Sequence, residues 1–242
     1  MSNRYERELV HDRKILEDAD KVWGRMGRVG EFRIERRAQT IIEACQIKPG
    51  MRVLELGCGT GKFTGYLAQT GAQVTAIDLF EGFLEIAKRY VDSLNVDFRV
   101  GQAENLSGLP DESFDVVCGV SVLHHLEIHP ALASMHRVLK RGGRIGFSEP
   151  NMLNPQIAMQ KNIHWLKEKL GDAPDETAFF KWQMKKLLEA VNFREIKVWP
   201  FDFLHPATPD FFSSAVIDIG YFLEKVPFLR EIAGSLFIFA KK

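Results

Sequence analysis

Residues Val53-Leu54-Glu55-Leu56-Gly57-Cys58-Gly59-Thr60-Gly61-Lys62-Phe63-Thr64 constrain this chain more than any other stretch. A short apolar run, Met51 to Leu56, stops at three glycines on alternate positions, and a helical pattern begins just after Gly61. That order predicts a strand, a tight turn and a helix N-terminus. Glycine admits positive φ and lets backbone approach a ligand without interference from Cβ. The unpaired N–H groups of a helix start favour a polar or anionic ligand group. Two familiar phosphate-binding patterns do not fit. A dinucleotide fingerprint needs its third glycine where Lys62 stands. A P-loop needs glycine where Leu56 stands, and a hydroxyl where Phe63 stands.

Around this stretch the chain alternates strands and helices. Arg33 to Cys45 has the apolar spacing of an amphipathic helix, and Lys48-Pro49-Gly50 turns into the first strand. A helix over Lys62 to Thr70 leads to a strand over Gln73 to Ile77, closed by Asp78. A helix over Gly82 to Asp92 leads to a strand over Val96 to Val100. Phe114 to Cys118 is the next strand, followed by a helix over Pro130 to Leu139 that stops at Gly142-Gly143. Arg144 to Ser148 is the fifth strand. Such alternation implies a parallel sheet with right-handed crossovers, helices on both faces and ligands beyond the strands' carboxyl ends. Beyond Asn151 the pattern predicts helices over Asn154 to Leu170 and Glu176 to Val191, a loop at Gly171-Asp172-Ala173-Pro174, and strands over Phe193 to Trp199 and Ser235 to Ala240. Before Arg33 the chain reads as charged helix broken by a glycine hinge, Gly24 to Gly30.

At 242 residues the chain reads as one domain: a helical cap over 1–48, a core over 49–150 and a substrate-side half over 151–242. Lys plus Arg and Asp plus Glu both number 32, which argues against a general nucleic-acid binder. Cys45, Cys58 and Cys118 have no CxxC spacing and read as reduced thiols. The charged segment Met1 to Asp20 does not read as a signal peptide, and Phe211 to Leu223 is too short to span a bilayer. Together these point to a cytoplasmic protein.

The glycine stretch resembles motif I of the class I S-adenosylmethionine (SAM)-dependent methyltransferases, Glu/Asp-x-Gly-x-Gly-x-Gly. The resemblance covers residues 50 to 150 in motif and the remainder in layout. It implies a Rossmann-like seven-stranded mostly parallel sheet whose last strand is antiparallel. It also implies SAM as cofactor and S-adenosylhomocysteine as product, with Glu55, Gly57, Cys58, Gly59, Thr60 and Gly61 around the methionine end. Asp78, followed by Leu79, stands where the family pairs an acid with the ribose hydroxyls. Gln102, Ala103 and Glu104 resemble the segment that frames the adenine.

Phe114 to Leu126, with Val120 within it and Leu-His-His-Leu at its end, is similar to motif IV of the small-molecule branch. It is not the Asn/Asp-Pro-Pro-Tyr form of nucleic-acid amino-methyltransferases, and it lacks the clustered acids and Asn of magnesium-dependent catechol enzymes. His124 and His125 fall where a methyl acceptor would lie; one could take the acceptor's proton, or they could cap and pack. Zinc held by His124, His125, His129 and His136 would need a thiolate or carboxylate partner, and no metal is expected. Arg33, Arg36 and Arg37 precede motif I, and in the ubiquinone-type O-methyltransferases that this branch resembles an arginine spaced like Arg37 holds the cofactor's carboxylate.

The Phe-rich insertion 200–234 reads as a lid over an apolar acceptor pocket, as core filler, or as a membrane contact. The function implied is methyl transfer to a small, apolar or lipid-like acceptor at O, N or C. A SAM-binding regulatory or scaffold protein and a tRNA or rRNA methyltransferase are the alternatives.

Overall fold

The computed structural model describes residues 3–23, 26–170, 172–173 and 175–242. Among them lies a seven-stranded sheet in the order β3-β2-β1-β4-β5-β7-β6. The strands are β1 (Arg52–Leu56), β2 (Gln73–Asp78), β3 (Val96–Val100), β4 (Phe114–Val120), β5 (Leu139–Pro150), β6 (Arg194–Phe201) and β7 (Ser235–Lys241). The first five pair in parallel, and β7 runs antiparallel to both β5 and β6. The expected architecture is therefore the observed one.

Strand periodicity divides the core into two layers, because successive side chains leave opposite faces of the sheet. On one face Leu54, Leu56, Val117 and Ile145 pack with Leu132 and Met135 of α6 (Ile128–Val138) and Met184 and Leu188 of α9 (Lys181–Ala190). On the other, Val53, Val116 and Cys118 pack with Ile41 of α3 (Gly27–Cys45) and Leu67 of α4 (Lys62–Gln69). At the edge, β3 carries the exposed Asp97–Arg99 ion pair. Charge on an edge strand discourages pairing with another chain.

The N-terminal cap consists of α1 (Asn3–Ile15) and α2 (Ala19–Val22). A small cluster fastens it to α5 (Glu81–Tyr90): Ile15, Ala19 and Phe83 are buried together, with Leu16, Trp23 and Phe80 against them. The Trp23 and Phe83 rings meet edge to face at 5.0 Å. Thr60 Oγ1 donates to Asp20 Oδ1 at 2.7 Å, which ties the cap to the glycine turn.

Four expectations are corrected. Gly27 to Gly30 are not hinge but the first turn of α3, with Val29 and Gly30 buried; Gly24 and Arg25 lie outside the described residues. Gly142-Gly143 do not stop a helix, since β5 already starts at Leu139 and runs through them. The stretch 154–170 is two helices, α7 (Pro155–Asn162) and α8 (His164–Lys169), with Asn154 capping the first through Gln156 and Ile157 N–H. Residues 176–180 precede α9 in extended form, where Phe179 bridges to Asn151. In the loop expected at 171–174, Gly171 and Pro174 lie outside the described residues.

The Phe-rich insertion is largely helical, with α10 (Ser213–Lys225) and α11 (Pro227–Arg230). Phe201 joins the core, whereas Phe211, Phe212, Phe222 and Phe228 are exposed. The insertion docks on α3 through charge: Arg36 pairs with Glu224 at 2.6 Å and lies over the Tyr221 ring at 4.5 Å.

Candidate active site

The carboxyl ends of β1, β2 and β4 open into a cavity of about 430 Å³, roofed by α1. One wall is the crook between β1 and α4. Gly57 has φ 64° and Gly61 φ 84°. A Cβ on Gly57 would lie 2.5 Å from Val122 Cγ2, and one on Gly61 would lie 3.0 Å from Ala87 Cβ. Both conformation and space therefore demand glycine. Asp78 holds this turn from below, its Oδ2 accepting from Gly59 N–H at 2.8 Å and its Oδ1 from Phe80 N–H at 3.0 Å.

Of the residues singled out in the sequence, Arg37, Gly57, Gly59, Asp78, Leu79, Gln102, Ala103, Glu104 and His125 line the cavity. Glu55, Cys58, Thr60, Gly61, Val120 and His124 are not among its lining residues. Glu55 is buried within β1, opposite Cys118 in register, and Cys58 and Val120 belong to the core beneath. Thr60 turns to Asp20. Arg37 reaches the cavity with Nη2 already bound to Asp202 Oδ2 at 3.0 Å and Ser235 Oγ at 2.9 Å. Glu104 Oε1 accepts from Glu127 N–H at 3.1 Å, closing the segment Gln102-Ala103-Glu104 against the loop after β4. No cavity-lining residue comes from 200–234; the roof is the N-terminal cap together with Gln160, Leu170, Asp172 and Glu176.

The two histidines have different surroundings. His124 is buried, and its Nδ1 meets Glu149 Oε2 at 2.7 Å. Glu149, at the end of β5, also accepts from the N–H groups of Val122 and Leu123 at 2.9 Å each and of His124 at 3.3 Å. With three backbone donors already on this carboxylate, Nδ1 of His124 donates the fourth bond. Burial, helped by the neighbouring His125, holds the His124 pKa below its ordinary value, against the pull of Glu149.

His125 lines the cavity, with Nδ1 3.3 Å from Glu8 Oε2 and 3.8 Å from Glu176 Oε1. Burial opposes its charge, yet Glu176 and Glu8 raise its pKa to about 9. The two carboxylates thus favour its charged form and burial the neutral one. Glu176 in turn is held well below the usual carboxylate range: burial works against this, and His125, His124 and Lys161 outweigh it. Lys161 Nζ bridges Glu176 Oε2 at 2.5 Å and Asp172 Oδ2 at 2.8 Å. On α1, Asp12 also lines the cavity, its pKa raised to about 7 by burial and by the charges of Asp78 and Glu8.

Glu8, Asp12, Glu149 and Glu176 carry much of this electrostatics, and the sequence reading passed over all four. His129 and His136 do not join the other two histidines: His136 packs edge-on against Phe193 at 5.2 Å.

Residues 54–147 match the family described as "Methyltransferase domain". A ubiquinone biosynthesis O-methyltransferase of Xanthomonas oryzae pv. oryzae is 38% identical over 113 residues, covering 46% of this chain and 47% of that protein. One from Nitrosococcus oceani is 36% identical over 106 residues, covering 42% and 44%. The match thus spans about half the length of these curated relatives. Among solved structures, a SAM-dependent methyltransferase of Thermotoga maritima, described as a possible histamine N-methyltransferase, superposes with a TM-score of 0.67. It is 21% identical and the alignment covers 96% of this chain and 98% of that one, a likeness of fold. No helix among the described residues is long and apolar enough to cross a membrane.

Proposed function

We propose that this chain, whose core is a class I SAM-dependent methyltransferase domain, transfers a methyl group to a small-molecule acceptor held under its N-terminal cap. The observation that carries this reading is the continuity of the cavity. It runs from the glycine crook and Asp78, past Gln102 to Glu104, to His125 beneath α1. SAM, when bound, supplies a sulfonium-activated methyl group and leaves as S-adenosylhomocysteine.

The crook at Gly57 and Gly59 admits the amino-acid end of such a ligand against bare backbone. Asp78 accepts from the ribose hydroxyls, and the segment Gln102-Ala103-Glu104 frames the base beside Leu79. Arg37 faces the carboxylate while Asp202 and Ser235 fix its guanidinium. The chain's main contribution is alignment, which for a bound pair of reactants is worth on the order of 7–11 kcal/mol.

His125 acts through charge. An imidazolium beside an acceptor hydroxyl favours that hydroxyl's ionised, nucleophilic form, as an opposite charge does for any acid. His124 orients the loop through Glu149 and has no direct contact with substrate. The acceptor wall combines the rings of Tyr5, Trp23 and Phe83 with the acids of α1, which suits an aromatic or lipid-like molecule bearing one polar group. The printed activity of the curated relatives makes oxygen the first nucleophile to try.

Calorimetry with S-adenosylhomocysteine should give one site per chain. A panel of matched phenols, amines and thiols should then yield a methylated product with release of S-adenosylhomocysteine. Absence of binding by folded protein overturns the reading. Binding without transfer to any acceptor reduces it to a SAM-binding module.

A further inference from the structure

Below the acceptor end, three ligand-type atoms converge. Nitrogens of His124 and His125 and a carboxylate oxygen of Glu176 all lie within 4.8 Å of one another. His124 Nε2 is 3.7 Å from Glu176 Oε2, and His125 Nδ1 is 3.8 Å from Glu176 Oε1. Glu8 Oε2 adds a fourth donor, 3.3 Å from His125 Nδ1. A tetrahedral ion with bonds of about 2.0–2.1 Å holds its ligand atoms roughly 3.3 Å apart. The three pair separations of 3.7, 3.8 and 3.3 Å are within about half an ångström of that, and the two histidines and Glu176 would close from within 4.8 Å by side-chain adjustment.

Two further observations point to a cation. The His124 Nδ1–H is committed to Glu149, so Nε2 presents a lone pair, and what it faces is a carboxylate. Lys161 Nζ already meets this Glu176 oxygen, so the group left facing it without a donor of its own is the Nε2 lone pair, 3.7 Å away. Glu8, only 8% exposed, turns a carboxylate into the same cavity, and its Oε1 has no hydrogen-bond partner among the described residues. The surroundings are those of metal sites in general: a carboxylate behind the ligating histidine, and a hydrogen bond from Lys161 on the ligating acid.

We propose that His124 Nε2, His125 Nδ1, Glu176 and Glu8 form a binding site for one divalent transition-metal ion at the acceptor end of the cavity. Two imidazoles and two carboxylates suit Zn²⁺ or Co²⁺ better than Mg²⁺ or Ca²⁺, which prefer oxygen alone. The site joins α1, the loop after β4 and the segment before α9, so the ion would cross-link the cap to the core. The inference does not depend on methyl transfer, since binding of the metal alone tests it.

The experiment titrates chelator-treated full-length protein with Co²⁺, followed by visible absorbance and calorimetry, then displaces it with Zn²⁺. One equivalent of Co²⁺ should bind with the intense visible bands of a four- or five-coordinate site, and Mg²⁺ should not compete. Glu8→Gln, nearly isosteric and on the surface helix, should weaken binding about 10- to 100-fold or more, the range set by losing even an outer-shell partner. His125→Asn serves as a second variant, with circular dichroism confirming fold in both. Failure to bind Co²⁺ stoichiometrically overturns the proposal. So does binding that persists unchanged in both folded variants, since the ion would then sit elsewhere.

Discussion

The crook wall of the cavity comes from consecutive residues between β1 and α4, whereas the charged cluster around His125, the proposed acceptor wall, is gathered from four distant segments. Gly57, Gly59 and Gly61 act through backbone shape, and Asp78 tightens them from the next strand. Glu8, His125, Glu149 and Glu176 act through charge, and each is held by partners far away in sequence. A wall built from contiguous backbone has few ways to adjust. One assembled from long side chains can be rewired one contact at a time, which is how a single fold accommodates different acceptors.

The sharpest way to break that contrast is Gly57→Ala. The new methyl would need a left-handed φ, costing about 1–2 kcal/mol. It would also meet Val122 Cγ2 at 2.5 Å, a clash that must move one wall or the other. Affinity for S-adenosylhomocysteine should fall at least about 100-fold, with stability lower by about 2–4 kcal/mol, as for an overpacked site at strained backbone. Calorimetry and urea melts measure the two. Unchanged affinity in a folded variant would mean that the crook holds no ligand.

Glu149→Gln probes the other wall and should have a smaller effect. Three backbone N–H groups and His124 converge on this buried carboxylate. Replacing a charged acceptor with an amide weakens those bonds and sets an NH₂ against a donor, a loss of about 1.5–3 kcal/mol. Denaturation should show that loss while affinity for S-adenosylhomocysteine stays within about threefold, since Glu149 reaches the crook only through Val122, which packs against Gly57. A parallel drop in affinity would show that the two walls behave as one unit.

The same contrast explains what was legible in the sequence. The sheet could be read because β1, β2, β4 and β5 are apolar runs bounded by turn residues, and the crook because its glycines are adjacent to one another. His124 and His125 could be located but not given a state. Their protonation depends on Glu8 and Glu176, more than 50 residues away on either side, and nothing in local spacing couples them. The insertion, open in the sequence to reading as lid, core filler or membrane contact, adds no residue to the cavity lining, and Phe211 is 89% and Phe228 88% exposed.

Asp12→Asn acts where the walls meet, and its effect is the smallest of the three. Asp12 sits on α1 and feels Asp78 of the crook and Glu8 of the acceptor wall; burial and these two charges raise its pKa from 3.8 to about 7. The folded state therefore binds this proton more tightly than the unfolded chain does. Its contribution is fully present below pH 4, declines between pH 4 and 7, and is absent above the folded value. Asparagine removes that dependence. The variant should gain about 1–2 kcal/mol over the parent at pH 8 relative to their difference at pH 4, the full linkage value being discounted for partial exposure. Thermal melts across that range measure it. A positively charged ligand in the cavity should also favour the ionised carboxylate, so the parent's preference for SAM over S-adenosylhomocysteine should rise through pH 7 while the variant's stays level. Parallel stability curves and a level preference in both proteins would separate Asp12 from Asp78, and the cap and crook would then not share one electrostatic field.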